Sequence, residues 1–191
     1  MNKNELYPIF LKVHQLNVLI VGGGKVAHEK LSFLLKSSPN ARVAVFAIDF
    51  CDEIKELAEK HKVPLVFRPY GDNLMHKKDI VIGATNDREV NKEIYRDAKA
   101  RNILVNIADT PEYCDFYLGG IVTKGDVKIA ISTNGKSPTT AKRLRQFLED
   151  VIPENINDLV NNLNQFRKKI KGNFEDKVQT LNKITETLIS E

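Results

Sequence analysis

The run Gly22-Gly23-Gly24-Lys25-Val26-Ala27 follows an apolar stretch and precedes an amphipathic one. Read as G-x-G-x-x-A, it gives Gly22 the tight turn, Gly24 the close approach of a pyrophosphate to backbone N–H groups, and Ala27 the tight contact between helix and strand. The match is weak by itself, and its strand-turn-helix setting is what favours a dinucleotide site over a structural glycine turn. An acidic residue roughly 20 positions further on binds ribose hydroxyls in such sites, and Asp49 is the candidate, though it lies late. The alternative is that Ile48 and Asp49 flank the adenosine through backbone contacts. No Arg follows to hold a 2′-phosphate, and the nearby cation, Lys55, is already inside the next helix. That favours NAD over NADP.

Two further polar clusters end apolar runs, Ala84-Thr85-Asn86-Asp87 and Asn106-Ile107-Ala108-Asp109. Ligands of open parallel sheets bind beyond the carboxyl ends of the strands, so both clusters are expected to face a cofactor cleft. Asp109 precedes Thr110-Pro111, where the pattern of the chain changes, and a carboxylate there suits a proton acceptor. Spacing alone reads it more readily as a turn or capping aspartate. The loop Ser132-Thr133-Asn134-Gly135-Lys136-Ser137-Pro138, with Lys142, Arg143 and Arg145 beyond it, forms a cationic region at a helix start. Such a region suits carboxylates or phosphate, and equally an ordinary capped helix with a solvated basic face.

The elements that must position these groups follow from hydrophobic periodicity. Strands are expected at Asn17 to Val21, Arg42 to Phe46, Leu65 to Arg68, Ile80 to Ala84 and Ile103 to Ile107. Helices are expected over Lys25 to Lys36, Asp52 to His61 and Glu89 to Arg101. Alternation of this kind implies right-handed crossovers and a doubly wound parallel sheet. After Pro111 the strands Phe116 to Val122 and Val127 to Ser132, around Lys124-Gly125-Asp126, read as a β-hairpin, and Pro138 opens a helix to about Val151. Two helical patterns follow, one with Ile156, Leu159, Val160, Leu163 and Phe166 on a face, the other with Phe174, Val178, Leu181, Ile184 and Leu188. The expected division is 1–110, a Rossmann-type nucleotide-binding domain; 111–152, a hairpin and helix module; and 153–191, a helical segment.

The 191 residues leave room for one full domain and a smaller appendage. A net charge of +4 suits an anionic ligand and falls short of a nucleic-acid-binding composition. Cys51 and Cys114 form no CxxC, and the four histidines show no ligand spacing, so no protein-held metal is expected. There is no apolar run of membrane-spanning length and no secretory leader pattern, which gives the expectation of a cytoplasmic protein with no membrane partner.

Taken together, Tyr7-Pro8-Ile9-Phe10-Leu11, VGGGKVA, ATND, VNIADTPEYCDF and AISTNGKSPTTAKRLR resemble, in order over about Leu6 to Val151, the precorrin-2 dehydrogenase module of sirohaem synthases. The resemblance implies NAD-dependent conversion of precorrin-2 to sirohydrochlorin; in some members ferrous iron is then inserted as a further substrate. It also implies a Rossmann domain, a central dimerisation domain and a small helical domain in an intertwined homodimer. It places Lys25, Val26, Ile48 and Asp49 against NAD, beside the Gly22, Gly23 and Gly24 turn and the Thr85 and Asn86 cluster already read as facing the cofactor, and makes Asp109 the functional aspartate. Lys124, Lys136, Lys142 and Arg143, with Asn106, Thr133 and Ser137, become the expected contacts of a carboxylate-rich tetrapyrrole. Asn134 stands where a glycine is common in the family, and Thr133 where some members have serine. The alternatives are a dehydrogenase with a separate chelatase, which Asp109 would serve equally, and an NAD-sensing regulatory module. A sensor would not need the hairpin or the basic loop, and a repressor would show a helix-turn-helix, which is not found.

Overall fold

The computed structural model describes residues 4–186. Five strands, β1 (Asn17–Val21), β2 (Arg42–Ala47), β3 (Leu65–Phe67), β4 (Ile80–Gly83) and β5 (Leu104–Ile107), form a parallel sheet in the order β3-β2-β1-β4-β5. Three helices cross between them: α1 (Lys25–Ser37), α2 (Asp52–His61) and α3 (Arg88–Ala100). The expected doubly wound sheet is therefore present. Its two faces are written in the alternation of β1. Val18 and Ile20 join Ala27, Leu31 and Leu35 of α1 and Ile54 of α2 in one core. Leu19 and Val21 join Ile94 and Ala98 of α3 in the other.

Chain order runs outward from β1 to β2 and β3 on one side, then to β4 and β5 on the other, so the topological switch point lies between β1 and β4. α3 starts at Arg88, not Glu89, because Asp87 caps it: its Oδ1 accepts from the N–H groups of Glu89 and Val90 at 2.9 and 3.2 Å. Two 3₁₀ turns, Asp72–Met75 and Pro111–Tyr113, occupy stretches with no expected element.

The chain falls into two compact units, the sheet with its helices through Gly119 plus Ser132–Ser137, and Gly120–Ile131 with the chain from Pro138 onward. The second unit holds the antiparallel hairpin of β6 (Gly120–Lys124) and β7 (Val127–Ile131), with α4 (Pro138–Val151), α5 (Ile156–Lys169) and α6 (Phe174–Thr185). β6 begins at Gly120 and not at Phe116, because Phe116 packs on the α1/α2 side of the first core. At the hairpin turn Gly125 has φ +58°, and a side chain there would overlap Asn157, whose Oδ1 accepts from Asp126 N–H at 2.8 Å. α6 opens with a reciprocal capping box between Asn173 and Asp176. Leu188, expected on its apolar face, lies outside the described residues. Among the described residues no helix is long and apolar enough to cross a membrane.

Candidate functional site

The carboxyl ends of β1, β2, β4 and β5 converge around the switch point, and backbone geometry there distinguishes the three glycines. Gly22 has φ +135°, and a Cβ on it would overlap the Ala84 carbonyl. Only glycine lets the β1 and β4 ends meet this closely. A Cβ on Gly23 would overlap the Asp49 carbonyl, and Gly23 accepts in turn from Cys51 N–H at 2.8 Å, so the turn is clamped to the loop after β2. Gly24 differs, for a Cβ there would meet nothing within 4 Å. It is the N-cap of α1, and no side chain caps that helix. An open face at an uncapped helix start, with free N–H groups and the positive end of the dipole, fits a pyrophosphate. Lys25 is exposed beside it, Val26 is half-buried, and Ala27 is fully buried against the sheet.

Ile48 and Asp49 follow β2 directly. Ile48 is 78% exposed, an apolar side chain open to a flat ligand such as an adenine. The Asp49 carboxylate accepts from Phe50 N–H at 2.8 Å, a local turn that leaves its second oxygen for a hydroxyl. Lys55 pairs with Asp52 at 3.0 Å. The residues present thus fit a dinucleotide at the glycine turn.

At the end of β4, Thr85 is half-buried and Asn86 exposed. Thr85 is tied to Asn91, a residue the sequence reading passed over because a polar residue in a first helical turn carries no motif. At the end of β5 the residues diverge. Asn106 is 6% exposed, and its Nδ2 donates to the Phe116 carbonyl at 2.8 Å and lies 3.4 Å from Cys114 Sγ. Its side chain holds the chain after the 3₁₀ turn and does not stand open at the edge. Cys114 Sγ lies 3.3 Å from the carbonyls of Ile107 and Thr110, which share its one proton, and burial pushes its thiol up, so it acts as a neutral donor. Tyr113 stacks on Tyr95 of α3 with ring centroids 4.5 Å apart.

These contacts close the turn on which Asp109 sits. Asp109 is exposed, has φ +58°, and its carboxylate makes no hydrogen bond or ion pair among the described residues. It caps no helix: the 3₁₀ turn that follows has Thr110 at its start and no side-chain cap. Aspartate tolerates this left-handed conformation, and its exposed, unpartnered carboxylate is open to a ligand.

The loop Ser132–Ser137 groups with the sheet unit. Asn134 and Gly135 have φ +53° and +73°, and Lys136 N–H donates to the Thr133 carbonyl at 3.0 Å, a turn with the backbone signs of type I′. Asparagine tolerates this conformation, which accounts for Asn134 in a glycine position. The Thr133 hydroxyl is within 3.1 Å of the Ser137 carbonyl and 3.2 Å of its N–H, so it is spent inside the loop. Lys136 is exposed with no ion pair among the described residues. In the second unit Lys124 is paired with Glu154. Lys142 and Arg143 are exposed on α4, and Arg143 donates to Gln146 Oε1 at 3.1 Å. Among the described residues no group of three or more His, Cys, Asp or Glu is placed to hold a metal.

Residues 9–120, more than half of the chain, match the family described as "Putative NAD(P)-binding". The chain belongs to this NAD(P)-binding family. Residues 124–150 match a second family, the sirohaem biosynthesis protein central domain. The NAD(P)-binding match thus takes in the glycine turn, Asp49, Thr85 and Asp109, and the sirohaem match takes in β7, the Ser132–Ser137 loop and most of α4. Among curated proteins the chain is similar to the siroheme synthase of Pseudoalteromonas atlantica, 38% identical over 170 residues that cover 89% of this chain and 36% of that protein. It is likewise similar to the siroheme synthase of Psychrobacter arcticus, 39% identical over 87% of this chain and 30% of that protein. The chain spans about a third of the length of these relatives. Among solved structures, SirC, a precorrin-2 dehydrogenase, aligns over 94% of this chain and 89% of its own with TM-score 0.76 and 24% identity, a likeness of fold.

Proposed function

We propose that the chain is an NAD-dependent precorrin-2 dehydrogenase that forms sirohydrochlorin on the route to sirohaem and works as a homodimer. The observation that carries the reading is Asp109, an unpartnered, exposed carboxylate at the carboxyl edge of a nucleotide-binding sheet, in a chain that continues into a sirohaem-type module. Oxidation of the macrocycle removes a hydride and a proton. NAD, when bound, supplies the hydride acceptor. The chain's own part is to bind, orient and deprotonate. Gly24 and the first N–H groups of α1 hold the pyrophosphate, Asp49 faces the ribose, and Ile48 covers the base. The absence of a free cation after β2, where Lys55 is engaged by Asp52, supports NAD over NADP. Asp109 takes the proton, and nothing among the described residues competes for its carboxylate. Lys136, Lys142 and Arg143 offer charge for substrate carboxylates; Lys124 is neutralised by Glu154 and is the weaker contact.

Anaerobic incubation with precorrin-2 and NAD, followed by absorbance, tests the reading. Sirohydrochlorin and NADH should appear together, and NADP should substitute poorly. Adding ferrous iron afterwards reads any chelatase activity on the same sample. A protein that binds NAD but leaves precorrin-2 unchanged would be the NAD-sensing module instead.

A further inference from the structure

Asn91, in the first turn of α3, directs its whole carboxamide at one residue, Thr85. Its Oδ1 accepts from Thr85 N–H at 3.3 Å and lies 2.8 Å from the Thr85 hydroxyl, whose single hydrogen it shares with the Asp87 carbonyl at 2.9 Å, and its Nδ2 donates to the Thr85 carbonyl at 3.0 Å. The two backbone partners set the orientation of the amide, since an N–H requires an oxygen and a carbonyl requires a nitrogen. The helix does not need this arrangement for its own start, because Asp87 supplies the cap. Asparagine is also an indifferent helix former. What the amide does is immobilise the segment just past β4. Thr85 follows Ala84, and the Ala84 carbonyl is the group that the missing side chain of Gly22 makes room for. The line of contact therefore runs from α3 through Asn91 and Thr85 to the turn that presents Gly24.

We infer that Asn91 is a positioning residue for the dinucleotide crevice: it sets the β4 loop against the glycine turn and so holds the pyrophosphate face of α1 in its binding geometry. The inference rests on the reading of the glycine turn as the NAD site. A role in helix stability alone would leave NAD affinity untouched once the loss of stability is matched.

The test compares NAD dissociation constants and melting temperatures for the unmodified chain, Asn91→Leu, and Ala98→Gly, the last a buried position two turns along the same helix with no polar tie to the loop. Asn91→Leu should weaken NAD about tenfold, the effect of losing one or two good hydrogen bonds. Ala98→Gly should lower the melting temperature at least as far and leave NAD affinity within about twofold. Unchanged affinity in Asn91→Leu overturns the inference, and so does an equal loss in Ala98→Gly. Should Asn91→Leu not fold, Asn91→Ala removes the carboxamide without adding charge and leaves room for water to satisfy the Thr85 backbone groups in part. It should weaken NAD about threefold, and wild-type affinity there overturns the inference as well. An unmodified chain that binds no NAD overturns the functional reading itself, an outcome seen before any variant is made.

Discussion

The backbone at Asp109 decides how its chemistry is to be probed. With φ +58°, alanine at this position would add strain of about 1–2 kcal/mol and confuse stability with catalysis. Asparagine tolerates the same conformation, so Asp109→Asn removes the proton acceptor alone. Turnover should fall by roughly 10²- to 10⁴-fold with NAD affinity and melting temperature unchanged. A fully active Asp109→Asn would mean that Asp109 is not the proton acceptor. The glycines give a second contrast. Gly24→Asp meets open space at ordinary φ, so the protein should fold normally while NAD weakens by about tenfold or more, or roughly 1.4 kcal/mol. Gly22→Ala drives a methyl group into the Ala84 carbonyl at φ +135° and should lose NAD binding and thermal stability together. Calorimetric NAD titration beside thermal melting separates the two. The positions of Gly22, Gly24 and Asp109 were legible in the sequence because a motif and a strand end mark them. Which way Asn106 turns was not, since the Phe116 carbonyl that claims its amide comes ten residues later, and Asn91 was silent because a polar residue in a first helical turn carries no motif.

At the scale of elements, periodicity found every helix and strand of the parallel sheet, because a strand buried on both faces and a helix covering it leave distinct apolar patterns. It failed where an apolar residue serves a neighbour's core. Phe116 reads as the start of a hairpin strand, yet it packs beneath α1 and α2, and the hairpin waits until Gly120. The 3₁₀ turn Asp72–Met75 was also missed, its buried Leu74 and Met75 being too few for any period. Tyr70, just before that turn, donates its phenol to Asp97 of α3 at 2.7 Å. Burial and that carboxylate push the phenol well above the usual tyrosine range. A raised folded value stabilises the protein fully below the unfolded value near 10, and the contribution is lost as pH rises beyond it. Tyr70→Phe should therefore cost about 1 kcal/mol at pH 7, and the gap to the unmodified chain should narrow as the pH passes about 10. Urea unfolding at both pH values measures it, and a gap that stays constant would mean that the phenol is not held in its protonated form.

At the scale of the molecule the two units differ in what they bury. The sheet unit has two cores, whereas among the described residues Val122 is the sole buried hydrophobic residue of the second unit. One hairpin and three helices around one buried valine are too little to stand alone. Both edges of the hairpin are open within the chain, since β6 and β7 pair only with each other among the described residues. On α4, Leu144, Phe147 and Val151 are 43%, 60% and 53% exposed and follow one another at helical spacing. Single exposed apolar residues are ordinary, but a row of them on the helix that packs on the hairpin suits an interface. The homodimer proposed above would put a second copy of the chain there, and a two-fold pairing would let the same face cover itself. Sedimentation at micromolar concentration should show a dimer, and the melting temperature should rise with protein concentration, as folding linked to association requires. Phe147→Asp buries a charge in that row and should shift the population to monomer, lowering the melting temperature at a fixed concentration. A stable monomer whose melting is independent of concentration would leave the second unit without a core, and would require the stripe on α4 to be covered by some other partner.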